Sequence, residues 1–350
     1  NNITITNWIN NNSTGILTLE NSSSLIQINN VSNTGTMNMT RDVQAKLYDY
    51  IYWSSPVSNF AVSDITGSYR YKWEPTLPSI YDSNYGNWIG TNENMVIGKG
   101  YIVRTPNTFT TSLQTLTSTF TGTPNNGTIT TPIKRGIYDG INYIGLTNTP
   151  ITKDDDNWNL IGNPYPSAID AIDFLTLNTN IDGFIKVWTH GNLPSSAVAD
   201  PFYENYQYNY SLSDYITYNA SGSSSGPGVF GGYIAAGQAF FVLMNHSSIL
   251  TDENVTFTNT MRSASYDNTQ FFRNGSNHEV EKNRIWLDLI SDNGQSVRTL
   301  VGYIEDATNA IDRLYDAPAP NKNNFDLYSI NENNKLSIQG RGLPFLNTEV

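Results

Sequence analysis

Apolar and polar residues alternate along most of this chain in short runs, and most runs are closed by Asn, Gly or Pro. That is the pattern of half-buried strands and turns. Ile3 and Ile5 alternate with Thr4 and Thr6. Ile16-Leu17-Thr18-Leu19, Leu25-Ile26-Gln27-Ile28 and Gly35-Thr36-Met37-Asn38-Met39 follow, separated by Asn and Ser clusters. Short strands with Asn-rich corners predict the last rungs of a parallel β-helix over residues 1–42. An antiparallel meander fits the same pattern. Two or three rungs bury too little to stand alone, so they are expected to cap onto the next domain.

The next runs are aromatic and end at proline. Tyr48-Asp49-Tyr50-Ile51-Tyr52-Trp53-Ser54-Ser55-Pro56-Val57 and Trp158-Asn159-Leu160-Ile161-Gly162-Asn163-Pro164 each read as a strand. Proline stops both, because it fixes φ and lacks a backbone donor. Gly98-Lys99-Gly100-Tyr101-Ile102-Val103 matches Gly237-Gln238-Ala239-Phe240-Phe241-Val242, and a Thr-Phe-Thr strand follows each, centred on Phe120 and Phe257. Three landmarks in one order predict an internal duplication. The second copy is longer between Pro164 and Gly237 by roughly 30 residues, as surface insertions allow. Much of that length is tyrosine-rich, and residues 221–228 read as a Gly/Ser-rich loop.

After Pro164, the segment Tyr165-Pro166-Ser167-Ala168-Ile169-Asp170 leads into the most helix-like stretch of the chain. Ser167 is the expected N-cap, with Asp170 at the capping-box position. Ile169, Ile172 and Leu175 give one apolar stripe, and Asn178 and Asn180 mark the end. Asp170 and Asp173 read as helix-dipole partners rather than a catalytic carboxylate pair. From about residue 276, Arg284 to Ile290 alternates and meets Asp292-Asn293-Gly294, a hairpin signal, with Thr299 to Ile304 as the return strand. Two further strands, at Phe325 to Ile330 and Leu336 to Ile338, complete a small β-sandwich.

Charge narrows the partners. The chain carries 31 acidic and 19 basic residues, a net charge of −12. That argues against nucleic acid, which needs a basic surface. Charged residues are only 14 % of the whole, so Asn, Ser and Thr must keep the surface wet. The absence of cysteine excludes thiol catalysis, disulfides and cysteine-ligated metal. No apolar run is long enough for a membrane-spanning helix. The first and last residues, Asn1 and Val350, suggest a piece of a longer product.

Candidate chemistry is sparse. His190, His246 and His278 stand apart, with no second histidine at a ligand spacing such as HExxH, and no P-loop is present. Asp154, Asp155 and Asp156 are candidate Ca²⁺ ligands, since calcium takes oxygen donors; Asp292 and Asp306 offer the same donor type. A solvated turn is the competing reading of the Asp run. Glu204, Asp200 and Asp214 do not stand out as a glycosidase pair, because sequence spacing cannot pair carboxylates. Tyr206, Tyr208 and Tyr210 alternate and share one face if extended. They are the candidate glycan-binding residues, against a reading in which they pack the insertion onto the sandwich.

The stretches WNLIGNPYPSAID (158–170), YWSSPV (52–57), AAGQAFFV (235–242), TFTNTMR (256–262) and the series Ile285-Trp286-Leu287, Val301 to Thr308 and Tyr315-Asp316-Ala317 resemble a family of large secreted proteins of Bacteroidota. The resemblance covers about residues 40–345. It implies export by type IX secretion machinery, read through a C-terminal sorting region that this chain does not contain, and an extracellular or cell-surface location. It carries no catalytic residues.

The expected fold class is therefore all-β. Residues 1–42 form a β-helix-like cap. Residues 43–135 are the first half of a duplicated, jelly-roll-like β-sandwich, and 136–275 the second half with its Tyr-rich insertion. Residues 276–350 are the C-terminal β-sandwich. The expected function is a non-enzymatic, structural or adhesive segment of a cell-surface protein. The alternative is a glycan-binding accessory region of a secreted polysaccharide-degrading enzyme, with extracellular polysaccharide as partner.

Overall fold

The computed structural model describes residues 2–12, 15–79, 85–136, 141–145, 150–189, 214–224, 230–245, 251–269, 283–290, 292, 296–319 and 326–344. They are almost wholly β. Strands β1 (Ile3–Ile5), β2 (Asn10–Asn11) and β3 (Leu17–Leu19) make one coil, and β4 (Leu25–Gln27), β5 (Thr34–Gly35) and β6 (Met37–Ala45) the next. The pairs β1–β4, β2–β5 and β3–β6 are all parallel, so the rungs are those of a β-helix and not of a meander. Leu25, Gln27, Met37 and Met39 fill its interior. Gln27 is tolerated there because its amide is satisfied: Nε2 donates to Asn33 Oδ1 (2.8 Å) and Asn7 O (2.9 Å), and Oε1 accepts from Asn33 Nδ2 (2.7 Å). Strand β6 runs on through residue 42 into the first sandwich.

That sandwich adds β7 (Tyr50–Trp53), β8 (Val57–Ser58), β9 (Arg70–Pro78), β10 (Tyr85–Gly90), β11 (Tyr101–Arg104) and β12 (Gln114–Pro124). Its sheets are β3-β6-β12-β8 and β10-β9-β11-β7. Alternation on β12 explains its placement. Leu116, Ser118 and Phe120 turn inward, and Phe120 meets Trp53 (5.8 Å) and Phe60 (4.8 Å). Thr115, Thr117, Thr119 and Thr121 turn out and bond across to Gln44, Asp42, Thr40 and Asn38 on β6. Cross-strand polar pairs of this kind hold the register while leaving the outer face wet.

The second sandwich comprises β13 (Ile129–Lys134), the short β14 (Tyr143–Ile144) and β15 (Pro150–Ile151), helix α1 (Lys153–Asp156), β16 (Trp158–Gly162), β17 (Ile169–Asp170), helix α2 (Ala171–Leu177), β18 (Ile181–Trp188), β19 (Tyr215–Asn219), β20 (Gly222–Ser224), β21 (Tyr233–Ile234), β22 (Ala239–Met244) and β23 (Asp252–Phe257). Its main sheet runs β16-β22-β18-β19-β20, and β13 pairs with β23. One face of β22 sends Phe240 and Val242 into a core with Phe174 of α2 and Phe257 of β23. The other face sends Phe241 and Leu243 toward the first sandwich.

The duplication is written into the hydrogen-bond register. Tyr101, Ile102 and Val103 face Trp53, Tyr52 and Ile51. The matching residues of the second copy, Phe240, Phe241 and Val242, face Ile161, Leu160 and Asn159. Sheet order agrees too: β7-β11-β9-β10 corresponds to β16-β22-β18-β19. The copies then exchange bonds reciprocally. Ser54 N–H donates to Gly237 O (2.8 Å), and its counterpart Gly162 N–H donates to Gly98 O (2.8 Å). Trp53 bridges Gln238, and Lys99 bridges Ile161. Reciprocal contacts of this type define a local two-fold axis. Across it Tyr52 stacks on Trp188 (5.7 Å, 15°), its hydroxyl meets that of Tyr215 (2.6 Å), and Trp73 and Trp88 crowd Phe241 edge-on, as Trp158 does from within the second copy. Aromatic pairs contribute roughly 0.5–1.5 kcal/mol each beyond area burial.

The turn after β16 joins the coil to both sandwich copies. Asn163 is fully buried; its Nδ2 donates to Ser167, Ile234 and Ala235 carbonyls, and its Oδ1 accepts from Tyr165 N–H. Asn125 of the first copy donates to Pro164 O (2.9 Å), and Leu25 N–H of the coil to Pro166 O (2.8 Å). The expected N-cap at Ser167 is displaced. Its hydroxyl instead accepts from Arg262 Nε (2.9 Å), and Ile169–Asp170 pair with β21. Asp170 caps α2, accepting from the N–H groups of Ile172 and Asp173, and Asn178 ends it.

The C-terminal sheet contains β24 (Arg284–Ile290), β25 (Ser296–Ile304), β26 (Ala317–Pro318), β27 (Ser329–Asn331) and β28 (Asn334–Gly342) in the order β24-β25-β28-β26, with β27 also on β28. The expected β24–β25 hairpin forms, and Arg298 grips Asp288 with two bonds across it. This sheet docks on β20: Arg284 Nε donates to Ser221 O and Trp286 Nε1 to Ser223 O (3.1 Å). No helix among the described residues is long and apolar enough to cross a membrane.

Candidate functional site

Tyr206, Tyr208 and Tyr210 lie outside the described residues, as do His190, His246 and His278. The side chain of Asp154 lies outside them as well. Asp155 and Asp156 are described, and they are used separately. Asp155 Oδ2 accepts from Thr152 N–H (2.8 Å) and Thr152 Oγ1 (3.1 Å), closing the short α1 turn. Asp156 is buried and accepts from Tyr85 N–H (2.6 Å) and the Tyr143 hydroxyl, tying the second copy to β10 of the first. Burial first, and the Asp156 charge next, push the Tyr143 phenol well above its ordinary value. Among the described residues no three His, Cys, Asp or Glu side chains converge to hold a metal ion. Asp170 serves as a cap, and burial, then the Asp170 charge, raise the pKa of Asp173 beside it.

A polar cleft of about 710 Å³ opens where the start of β18, the 311–319 segment and the turn into β28 meet. Asp182, Asn245, Asp312, Arg313, Asp316 and Lys335 supply its polar wall. Most of these charges already hold backbone. The Arg313 guanidinium donates to Ile181 O (2.9 Å), Leu175 O (2.8 Å) and Asn178 O (2.6 Å), which gives the C-terminal end of α2 a cation where its carbonyls are unmet. Burial lowers the Arg313 pKa, and the Asp182 charge opposes that. Asp316 accepts from Asp312 N–H (2.6 Å) and Gly340 N–H (2.9 Å). Burial raises the Asp316 pKa and outweighs these bonds. Asp312 accepts from Thr308 N–H, and Lys335 Nζ stands over the Tyr328 ring at 4.5 Å. Acid–base work needs a carboxyl within reach of the reacting group. Here Asp312 and Asp316 are occupied as turn braces. The wall also carries Asp182, Lys335 and the amides of Asn142, Asn245, Asn333 and Asn334, groups suited to hydrogen-bonded recognition.

Nothing in the sequence singles out this cleft, because its walls come from separate segments scattered between residues 142 and 336. Two short motif matches also escape the pattern reading. Gly222-Ser223-Ser224-Ser225-Gly226 fits GxSxG, and Gly226-Pro227-Gly228-Val229-Phe230-Gly231 fits GxGxxG. Their context is wrong for either chemistry. A nucleophile elbow is a strand-to-helix turn that exposes its serine, whereas Ser224 is buried within strand β20. A dinucleotide loop opens a helix, whereas strand β21 follows Gly231.

The family described as "Domain of unknown function (DUF8693)" matches residues 1–350, and the chain belongs to it. No curated protein and no solved structure matches the chain.

Proposed function

We propose that this chain is a non-enzymatic structural segment of an extracellular, cell-surface protein, carried out by type IX secretion and presenting a rigid β scaffold for adhesion. The observation that supports this most is the state of the cleft: Asp312, Arg313 and Asp316 are consumed in bonds to backbone groups. The low charge content and the resemblance to secreted Bacteroidota proteins agree with it. Incubating the purified chain with polysaccharide, peptide and ester substrates tests the reading. No turnover is expected. Turnover that Asp182→Asn removes without lowering the melting temperature would overturn it.

The second reading, a glycan-binding accessory region, draws support from the open cleft and its Asn and Asp side chains. A glycan array separates the two. Retention of one glycan class that is lost on Asn245→Ala or Lys335→Ala, with folding intact, favours binding at the cleft. Loss on Tyr206→Ala and Tyr208→Ala instead favours the tyrosine ladder.

A further inference from the structure

The two ends of the coil stack are treated very differently. The end facing the sandwiches is held at β4, at the 29–33 segment and at β6, although among the described residues only β6 gains a second strand neighbour. Leu25 N–H donates to Pro166 O, Arg262 donates to Leu25 O, Asn126 Nδ2 donates to Asn29 O and Val31 O, Asn33 Nδ2 donates to Pro124 O, and β6 is paired with β12. At the far end β1, β2 and β3 have, among the described residues, a strand neighbour on one side only. Ile3 N–H donates to Ser24 O and Ile5 O accepts from Ile28 N–H, so the N–H and C=O of Thr4 point away from β4, along the open edge.

Side-chain burial tells the same story down three interior columns, whereas in a fourth Leu19, over Met39, is already covered at 2 % exposed. Ile3 lies over Leu25, Ile5 over Gln27 and Leu17 over Met37. The lower members are 0 % exposed, whereas Ile3 is 37 % exposed and Ile5 and Leu17 are only partly covered. On the same coil Trp8 is 57 % exposed and Ile16 63 %. Stacked-repeat proteins need a terminal unit with a polar outer face. This end has interior-type isoleucines and an unpaired parallel edge, which invites another strand.

We propose that the open end of the coil stack is the docking surface for a further parallel β-coil of the same period, supplied in line by the polypeptide upstream of β1. The interface it would make continues one already present: the step that lays β4–β6 beneath β1–β3, repeated once outward. Within the chain, coils are joined by a turn from the last strand of one into the first strand of the next. A coil arriving through the same turn meets β1 without the entropic cost of bringing two molecules together. A second copy of this chain cannot reproduce that contact. Among the described residues its open coil end is this same end, and two identical edges meet through a two-fold axis, which sets their strands antiparallel.

The test lengthens the chain by one of its own coils. Residues 3–24 are inserted once ahead of Ile3, and amide hydrogen exchange is followed at Thr4 of the resident coil. The expected result is exchange at least tenfold slower than in the 350-residue chain, with Trp8 fluorescence shifted to the blue. Thr4→Pro removes the outward donor. It is expected to leave the melting temperature of the original chain unchanged and to lower that of the extended chain. Unchanged exchange at Thr4 in the extended chain would overturn the proposal. So would slow, concentration-dependent exchange at Thr4 in the original chain together with dimers in sedimentation, because the end would then be a contact between copies.

Discussion

The two sandwich copies share a backbone register yet fill it with different side chains. In the first copy β7 presents Ile51 and Trp53 to one side and Tyr50 and Tyr52 to the other; in the second, β16 presents Asn159, Leu160 and Ile161 at the same rungs. The first copy closes its outer side with the long β6–β12 pair. The second uses the shorter β13–β23 pair and helix α2. Features kept in both are the proline stop and the left-handed glycines Gly98 (φ +79°) and Gly237 (φ +78°), beside which the copies exchange bonds. Backbone punctuation thus carries the symmetry, and side chains are free to differ wherever the core can be refilled.

The largest effect is expected where the copies cease to be separable. Trp188 is fully buried and lies against Tyr52 of the first copy and Tyr215 of the second. Trp188→Ala should cost about 3–5 kcal/mol. Denaturant titration should show both copies weakened together; weakening confined to the second copy would break the symmetry argument.

The two glycines allow a finer comparison. A Cβ on Gly237 meets no heavy atom nearer than 3.5 Å, whereas a Cβ on Gly98 falls 1.9 Å from Thr131 Oγ1. Gly237→Ala should cost only the left-handed strain, about 1–2 kcal/mol. Gly98→Ala should cost more, and Thr131→Ala should recover the excess in a double-mutant cycle. Equal costs at the two sites would show that Thr131 yields freely.

Asp170→Ala removes a helix cap that only the second copy possesses. A loss of about 1 kcal/mol is expected, with faster exchange in α2 and little change in β11. The smallest effect belongs to the first copy alone. Glu93 pairs with Lys72 (2.6 Å) and accepts from the Tyr101 hydroxyl (3.0 Å). Burial pushes the Glu93 carboxyl up, but those bonds together hold it below the usual range. Its contribution is therefore present above the ordinary carboxylate range and fades as pH falls through the depressed value. Glu93→Gln should lower stability at pH 7 by under about 1 kcal/mol, since the pair is partly exposed. It should also flatten the acid limb of melting temperature against pH.

Local chemistry made much of this fold legible. Pro56 and Pro164 stop strands by removing donors, and Gly98 and Gly237 recur before matching aromatic runs, so the duplication can be read from landmarks alone. The parallel coil showed in its spacing but not in its direction, because three-residue strands fit a meander equally well. The cap was misplaced because Ser167 spends its hydroxyl on Arg262, a partner 95 positions away. The reciprocal exchange about the two-fold axis depends on how finished sandwiches meet, which local pattern does not encode. The cleft is assembled from Asp182, Arg313 and Lys335, none of which stands out among its neighbours in the chain. Asp155 and Asp156 read as neighbouring donors, yet one closes a turn and the other reaches Tyr85.

The most direct measurement is native-state hydrogen exchange under rising denaturant, read at Ile102 and Val103 in β11 and at Phe241 and Val242 in β22. A core shared across the two-fold axis predicts that these amides merge into a single opening with one free energy and one denaturant slope. Two separate openings, with β11 and β22 released at different denaturant concentrations, would contradict it.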